Sequence, residues 1–426
     1  MKDKFIGTIL MCIASFLIVM SASDLKDTKI KEDISVENDT TIESDNVIKI
    51  WYQYKGYEKY IEQAVASYKE KYGLDMKVEI EFVSEPGYYD YINNKSLEGK
   101  GPDIFIMGSE YTEKAYLLGI TKENTNTDIY NNEIYGSAAI TSISYKDKIY
   151  GYPLGFDVSA MVTNTDYCSD DIVTFEDIKY FADNFNDIVD DESETVEVAS
   201  NTIDYSRIRG ILAWDVKNLL FNYGFIGNGV KIAVEDEKTI DISNNSVITA
   251  AKNYFLLKDY FSLTGEETYE DVKTSFSNGE TVFVLAGTDI IKSLDNAEVN
   301  FEVNKMPDLT SEIPCQGLSY TDLLAVNPMS DDKDIAEKLA EYITYEYAEN
   351  MYNVSGIVSC RKDIVYEDEH INQFLVVYDQ SIVMPNIMET EDYCILMEVA
   401  LKNIWNGEDI LETFKELQNN YSERIK

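Results

Sequence analysis

Histidine is almost absent: His370 is the single one in 426 residues. A Ser-His-Asp triad or a histidine-ligated metal would have to rest on it alone. It lies in "YEDEH", a polar acidic stretch, and reads as a solvated side chain. Cysteine is scarce as well. Beyond Cys12, the chain has Cys168, Cys315, Cys360 and Cys394, far apart and without a C-x-x-C. Four cysteines allow three pairings, and spacing does not choose among them. No G-x-S-x-G, H-E-x-x-H, G-x-x-x-x-G-K-[ST] or G-x-G-x-x-G occurs. Ser330 and Lys333 form an S-x-x-K without its partner motifs. No cofactor and no metal is expected.

Positive charge is also short. There are 36 Lys and Arg against 78 Asp and Glu, a net charge of −42. Such a surface repels phosphate backbones and anionic lipid heads, which argues against nucleic acid as a partner. Neutral and cationic ligands stay open. Only 7 prolines and 21 glycines occur, so the chain is neither collagen-like nor dominated by linkers. Beyond the N-terminus no run is long and apolar enough to span a membrane.

Hydrophobic residues make up 45% of the chain and charged residues 27%, enough to bury a core. The length suits two or three domains. The first 23 residues have Lys2 and Lys4, an uncharged run from Phe5 to Met20, then Ser21, Ala22 and Ser23. That order matches an export signal, with a retained membrane anchor as the alternative. Cys12 follows Met11, which is not the small residue that normally precedes an acylated cysteine. Residues 24–45 are charged and poor in large apolar side chains, as in a flexible acidic tether.

From residue 46 the pattern becomes that of a folded α/β chain. "VIKIWYQY" reads as a strand. Ile61, Ala64, Val65, Tyr68 and Tyr72 then share a helical face that Gly73 closes. "MKVEIEFV" alternates like a strand, and "GPDIFIMGS" reads as a short buried one. The order β-α-β-α-β points to a parallel sheet covered by helices. Downstream, "TFEDIKYFADNF" opens a helix with Thr174 and Asp177 as a capping pair. "GILAWDVKNLLFNYGF" reads as a helix carrying Trp214. "DIAEKLAEYITYEYAENMY" is an amphipathic helix, and two more helices end the chain. Trp51 and Trp405 read as core. Carboxylates are so numerous that a glycosidase pair stays open, but the chemistry favours a binder over a catalyst.

Six stretches in order resemble the extracellular solute-binding proteins of ABC importers, the maltose/maltodextrin-binding branch in particular. They are "IKIWYQYKGYEKY", "GPDIFIMGSEYTEKAYLLGI", "KIYGYPLGFDVSAMVTNTDY", "SFSNGETVFVLAG", the segment from Lys305 to Thr344, and "VMPNIMETEDYCILMEVALKNIWNG". The resemblance implies an α/β, two-lobed periplasmic-binding-protein-like fold of type II. Each lobe is a mixed β-sheet flanked by helices, with hinge strands between. The lobes would be 46–154 plus 321–364, and 155–320 plus 365–426. A carbohydrate would be captured between them and handed to the permease subunits of an ABC transporter by an exported, monomeric, non-enzymatic protein. Sugar recognition needs flat aromatic faces and hydroxyl-binding carboxylates or amides. Carried over position by position, the resemblance implies ligand contacts at Gln53, Tyr54 and Lys55, after the first strand. It implies Glu110 and Asp157 as acidic contacts, and Trp214 and Tyr393 as stacking aromatics. Asp289 stands where relatives usually have a stacking Trp. Pro385 lies in a turn that the family places at the cleft mouth. A cationic small molecule such as a polyamine is the second ligand class, and a secreted glycosidase the third reading.

Overall fold

The computed structural model describes residues 47–424, apart from 191–194, 199–200, 234–238, 295–296 and 298. The expected export segment and tether lie outside the described residues.

Strands β1 (Val47–Tyr52), β2 (Lys77–Phe82) and β3 (Ile104–Gly108) are parallel, with β1 in the middle. Parallel neighbours need a crossover. The crossovers here are helices α1 (Glu58–Tyr72) and α2 (Tyr88–Leu97). On α1 the expected face is buried from Ile61 to Tyr68, whereas Tyr72 is half-exposed. Gly73 closes it at φ +63°, a left-handed conformation that costs glycine little.

Strand alternation divides these residues between two cores. Ile48, Ile50, Ile104 and Ile106 face Tyr60, Ile61 and Ala64 of α1. Trp51, Phe105 and Met107 face Tyr88, Tyr89 and Ile92 of α2 instead. Trp51 is core, as expected.

Strand β4 (Tyr152–Val158) belongs to this first sheet, and after Ser159 the chain enters β5 (Ala160–Asn164) of a second. That second sheet runs β6-β7-β5-β8, with β6 at Gly210–Ala213, β7 at Thr281–Ala286 and β8 at Phe301–Asn304. The chain then returns to the first sheet as β9 (Leu318–Val326), antiparallel to both β3 and β4. Short strands β10 (Val358–Ser359) and β11 (Ile382–Val383) pair with β4 and β9. Around the second sheet pack α3 (Phe175–Asp190), α4 (Asn245–Tyr260), α5 (Thr390–Trp405) and α6 (Ile410–Arg424). Phe283, Leu285, Tyr254, Met397, Trp405 and Phe414 share its core. Thr174 and Asp177 cap α3 reciprocally, as expected: Thr174 N–H donates to Asp177 Oδ2 (2.7 Å), and Asp177 N–H to Thr174 Oγ1 (3.3 Å).

Three readings are corrected. "GILA" is not helical but is strand β6, parallel to β7, and Trp214 sits just after it. A four-residue buried apolar run carries no period to separate the two forms. The long amphipathic helix stays α-helical over Lys333–Glu341, then widens into a π turn over Tyr342–Glu346. Carbonyls in that turn are taken by Tyr60 Oη at Ile343, Tyr135 Oη at Thr344 and Arg361 Nη1 at Tyr345. His370 is not a freely solvated ring. It stacks on Phe301 at 3.8 Å between centroids, with Nε2 2.9 Å from the Phe301 carbonyl and Nδ1 2.8 Å from Asp368 Oδ1. The four described cysteines are free thiols.

Candidate functional site

Three strands of the first sheet lie level at Asp322. On β9 it pairs with Gly108 of β3 on one side and Gly155 of β4 on the other. Residues level with one another on neighbouring strands project from the same face. Both glycines therefore leave room beside Asp322, and two groups fill it. The Glu110 carboxyl lies over Gly108, where an added Cβ would come within 2.5 Å of Oε2. The Tyr57 hydroxyl lies over Gly155, 2.6 Å from the equivalent point. Tyr57 donates to Asp322 Oδ2 at 2.8 Å. The result is a row, Glu110–Asp322–Tyr57, in which Tyr57 bonds Asp322 directly and Glu110 lies about one strand spacing (~4.8 Å) to the other side.

This row is poor in donors. Glu110 Oε2 is buried with no hydrogen-bond partner. Burial pushes the Glu110 carboxyl up to about 7, with the nearby Asp322 charge acting in the same direction. Burial likewise raises Asp322 to about 6; the Tyr57 hydrogen bond opposes the rise and Asp157 adds to it.

Asp157, near the end of β4, reaches the second sheet. It accepts from Thr288 N–H (2.8 Å), Thr288 Oγ1 (3.1 Å) and its neighbour Val158 N–H (2.9 Å). Its carboxyl lies over Gly287, in the loop after β7, where a Cβ would fall 2.7 Å from Oδ1. Burial raises the Asp157 pKa, and the Thr288 amide counters part of that rise. One residue on, Asp289 accepts from Tyr269 Oη (2.5 Å) and Lys273 Nζ (2.8 Å). Lys273 also holds Glu270 at 2.7 Å. Among the described residues, no Lys or Arg forms an ion pair with Glu110, Asp157 or Asp322.

Aromatic groups border the acids. Tyr54 is 61% exposed and meets Tyr57 edge-on at 5.8 Å. Gln53 and Lys55 beside it are exposed, and the Lys55 ammonium sits 4.8 Å over the Phe82 ring. Tyr111 packs on Tyr89 at 4.5 Å, and its hydroxyl is 3.4 Å from Glu391. Burial raises the pKa of the partly buried Tyr320, and Cys394, Glu110 and Glu398 act in the same direction.

The structure thus brings Glu110, Asp157 and Asp289 into one series through Asp322, with Tyr54 next to it through Tyr57. It does not bring Trp214 or Tyr393 there, and these two expectations are corrected. Trp214 is 2% exposed, packed by Trp405 (5.8 Å) and Phe225 (5.6 Å), with Nε1 donating to Asn222 Oδ1 at 3.0 Å. Tyr393 is fully buried on the inner face of α5, and its hydroxyl pairs with that of Tyr223 at 2.9 Å. Neither offers a free ring face. Tyr57, Asp322, Tyr320, Tyr269 and Thr288 were not singled out from the sequence. For Asp322 a signal existed: it is the one charge inside the nine-residue strand "LSYTDLLAV".

The sequence profile of the bacterial extracellular solute-binding proteins matches residues 63–373. The chain belongs to this family. Its fold is the two-lobed periplasmic-binding-protein fold. An extracellular solute-binding protein from Staphylococcus aureus, solved with maltose, superposes with a TM-score of 0.73. It is 20% identical, over 89% of this chain and 98% of that one. A cyclo/maltodextrin-binding protein solved with maltotetraose gives 0.70 at 15% identity, over 89% of this chain and 96% of that one. In sequence, a maltooligosaccharide ABC transporter solute-binding lipoprotein of Streptococcus pneumoniae TIGR4 is 22% identical over 263 residues, 60% of this chain. The same protein in strain R6 matches equally. The chain spans 58% of the length of these curated relatives. The family is a solute-binding one, not a catalytic one.

The raised pKa of Glu110 makes a prediction with a definite sign. An acid whose folded pKa exceeds its unfolded value costs nothing below the unfolded pKa, and the cost grows as pH rises through the folded one. For Glu110 that window runs from 4.5 to about 7. Glu110→Gln should therefore raise unfolding stability at pH 8 by on the order of 2 kcal/mol and change little at pH 4.5. Denaturant unfolding at the two pH values measures this. A variant equally destabilised at both would refute it.

Proposed function

We propose that the protein is the extracytoplasmic substrate-binding component of an ABC transporter. It captures a mono- or oligosaccharide between its lobes and delivers it to the membrane permease. The row of Glu110, Asp322 and Tyr57, next to the exposed Tyr54 ring, is the observation that carries the ligand class. Carboxylates accept from sugar hydroxyls, and an open aromatic face suits the apolar side of a pyranose. Asp157 and Asp289 extend the acids toward the loop after β7, and Gln53 and Lys55 are exposed beside Tyr54. The lobes in this reading are 46–154 plus 321–364, and 155–320 plus 365–426. The helix Glu369–Asp379 touches strands of both sheets. Capture needs positioned hydrogen bonds and a hinge, not a covalent step, so the protein is not an enzyme in this reading. Membership of the solute-binding family and the likeness to sugar-bound folds support it.

Calorimetry against maltose, maltotriose, glucose and their aminated analogues tests the proposal. Binding at one-to-one stoichiometry is expected for at least one saccharide, with a smaller radius of gyration in solution scattering once it is bound. Absence of binding by every saccharide tested would overturn it.

A further inference from the structure

We propose that the ligand is a cationic saccharide, an amino sugar whose ammonium group sits between the carboxyls of Glu110 and Asp322. This rests on the carbohydrate reading above and narrows it.

The two carboxyls lack donors. The Glu110 carboxyl lies over Gly108, the cross-strand neighbour of Asp322, about one strand spacing away. Among the described residues the Tyr57 hydroxyl is the one side-chain donor to either carboxyl. Glu110 Oε2 is buried and has no partner. A buried acceptor without a donor is costly, and two like charges in a poorly solvated place are costlier. Among the described residues no Lys or Arg forms an ion pair with either acid, and lysines of the surrounding elements are committed elsewhere. Lys273 is held by Asp289 and Glu270, Lys114 faces Asp90 at 3.2 Å, and Lys55 lies over Phe82. The protein therefore leaves the positive charge at this point to be supplied by something else.

A neutral hydroxyl would satisfy one lone pair and leave the repulsion in place. A metal ion needs ligands gathered around one point, and among the described residues no group of three or more acidic, His or Cys side chains could hold one. An ammonium group fits the spacing better. It has three donors and a full charge, and it can bond both carboxyls at once. The exposed Tyr54 ring beside Tyr57 then selects between a bare amine and an aminated sugar, because it offers a flat face to the pyranose.

Titration calorimetry of the full chain tests this with glucosamine and its α- and β-1,4-linked disaccharides. The controls are the N-acetylated forms, maltose and cellobiose as neutral counterparts, and putrescine as a sugar-free amine. At pH 7 at least one aminated saccharide should bind ten-fold or more tightly than its neutral counterpart. In Glu110→Gln and Asp322→Asn that preference should shrink several-fold, with folding checked by circular dichroism. The ammonium needs both acids ionised, so affinity should rise from pH 5 to pH 7. Protons should also be released on binding, read from two buffers of different ionisation enthalpy. Equal or tighter binding of the neutral saccharides overturns this inference and leaves the carbohydrate reading standing. Binding of putrescine as tight as that of the aminated saccharides overturns the saccharide reading itself.

Discussion

Replacing Trp214 by alanine should lower unfolding stability by about 3–5 kcal/mol, the range for removing a large buried aromatic side chain. The ring is 2% exposed and touches Trp405, Phe225 and Tyr254, so its loss would open a cavity in the second core. The indole N–H also donates to Asn222 Oδ1, which in turn accepts from Tyr254 Oη at 3.0 Å. Alanine would leave that amide with one donor fewer. Trp214→Phe refills most of the volume without the donor, so it should cost about 1–2 kcal/mol. A stacking platform predicts the opposite: little change in stability and a large loss of saccharide affinity. Measuring denaturant midpoints and saccharide binding on the same two variants separates the two roles. Unchanged stability in Trp214→Ala would show that the packing has been misjudged.

That contrast shows where sequence reading runs out. The first sheet was legible because its strands alternate and its helix α1 repeats at three and four residues. Thr174 and Asp177 were legible because a capping pair is local in the chain. The order of six weak motifs carried the fold class. What failed depended on side-chain direction or on distant partners. A tryptophan between an apolar run and a polar one is an equally good ring for a core or for a ligand, and only the packing of Trp405 from 191 residues away decides. Tyr393 is similar: its partner Tyr223 lies 170 residues back. His370 looked solvated among acids, yet its stacking partner Phe301 belongs to a strand 69 positions earlier. Asp322 was hidden by abundance, since one acid among 78 carries little information until its burial is known.

The largest effect on the Pro385 turn should come from a residue outside it. Glu113 lies on the short helix Thr112–Leu118 and is 2% exposed. Its carboxylate accepts from Met388 N–H (2.5 Å) and Tyr145 Oη (3.1 Å), and its own N–H donates to Asn386 Oδ1 (2.7 Å). No side chain caps that helix from its N-cap residue Tyr111. Asn386 satisfies one of the N–H groups that a helix start leaves open, from 273 residues away. Ala115 of the same helix packs with Trp51 and Phe105, whereas Met384 and Ile387 of the turn are buried with Phe283 and Met161. The clasp therefore joins two separate cores. Glu113→Ala would strand a buried donor, Tyr145 Oη, and a half-buried one, the Met388 N–H, at a cost of about 2–4 kcal/mol. Glu113→Gln should lose less, because it keeps one acceptor while turning its amide donors toward another donor. Hydrogen exchange at the Met388 amide should quicken in both variants, while α6 keeps its protection. On the proposed division into lobes the clasp also favours the closed arrangement, so its loss should enlarge the radius of gyration and weaken saccharide binding. A Met388 amide that exchanges as slowly in Glu113→Ala as in the parent would show that the turn holds its shape without Glu113.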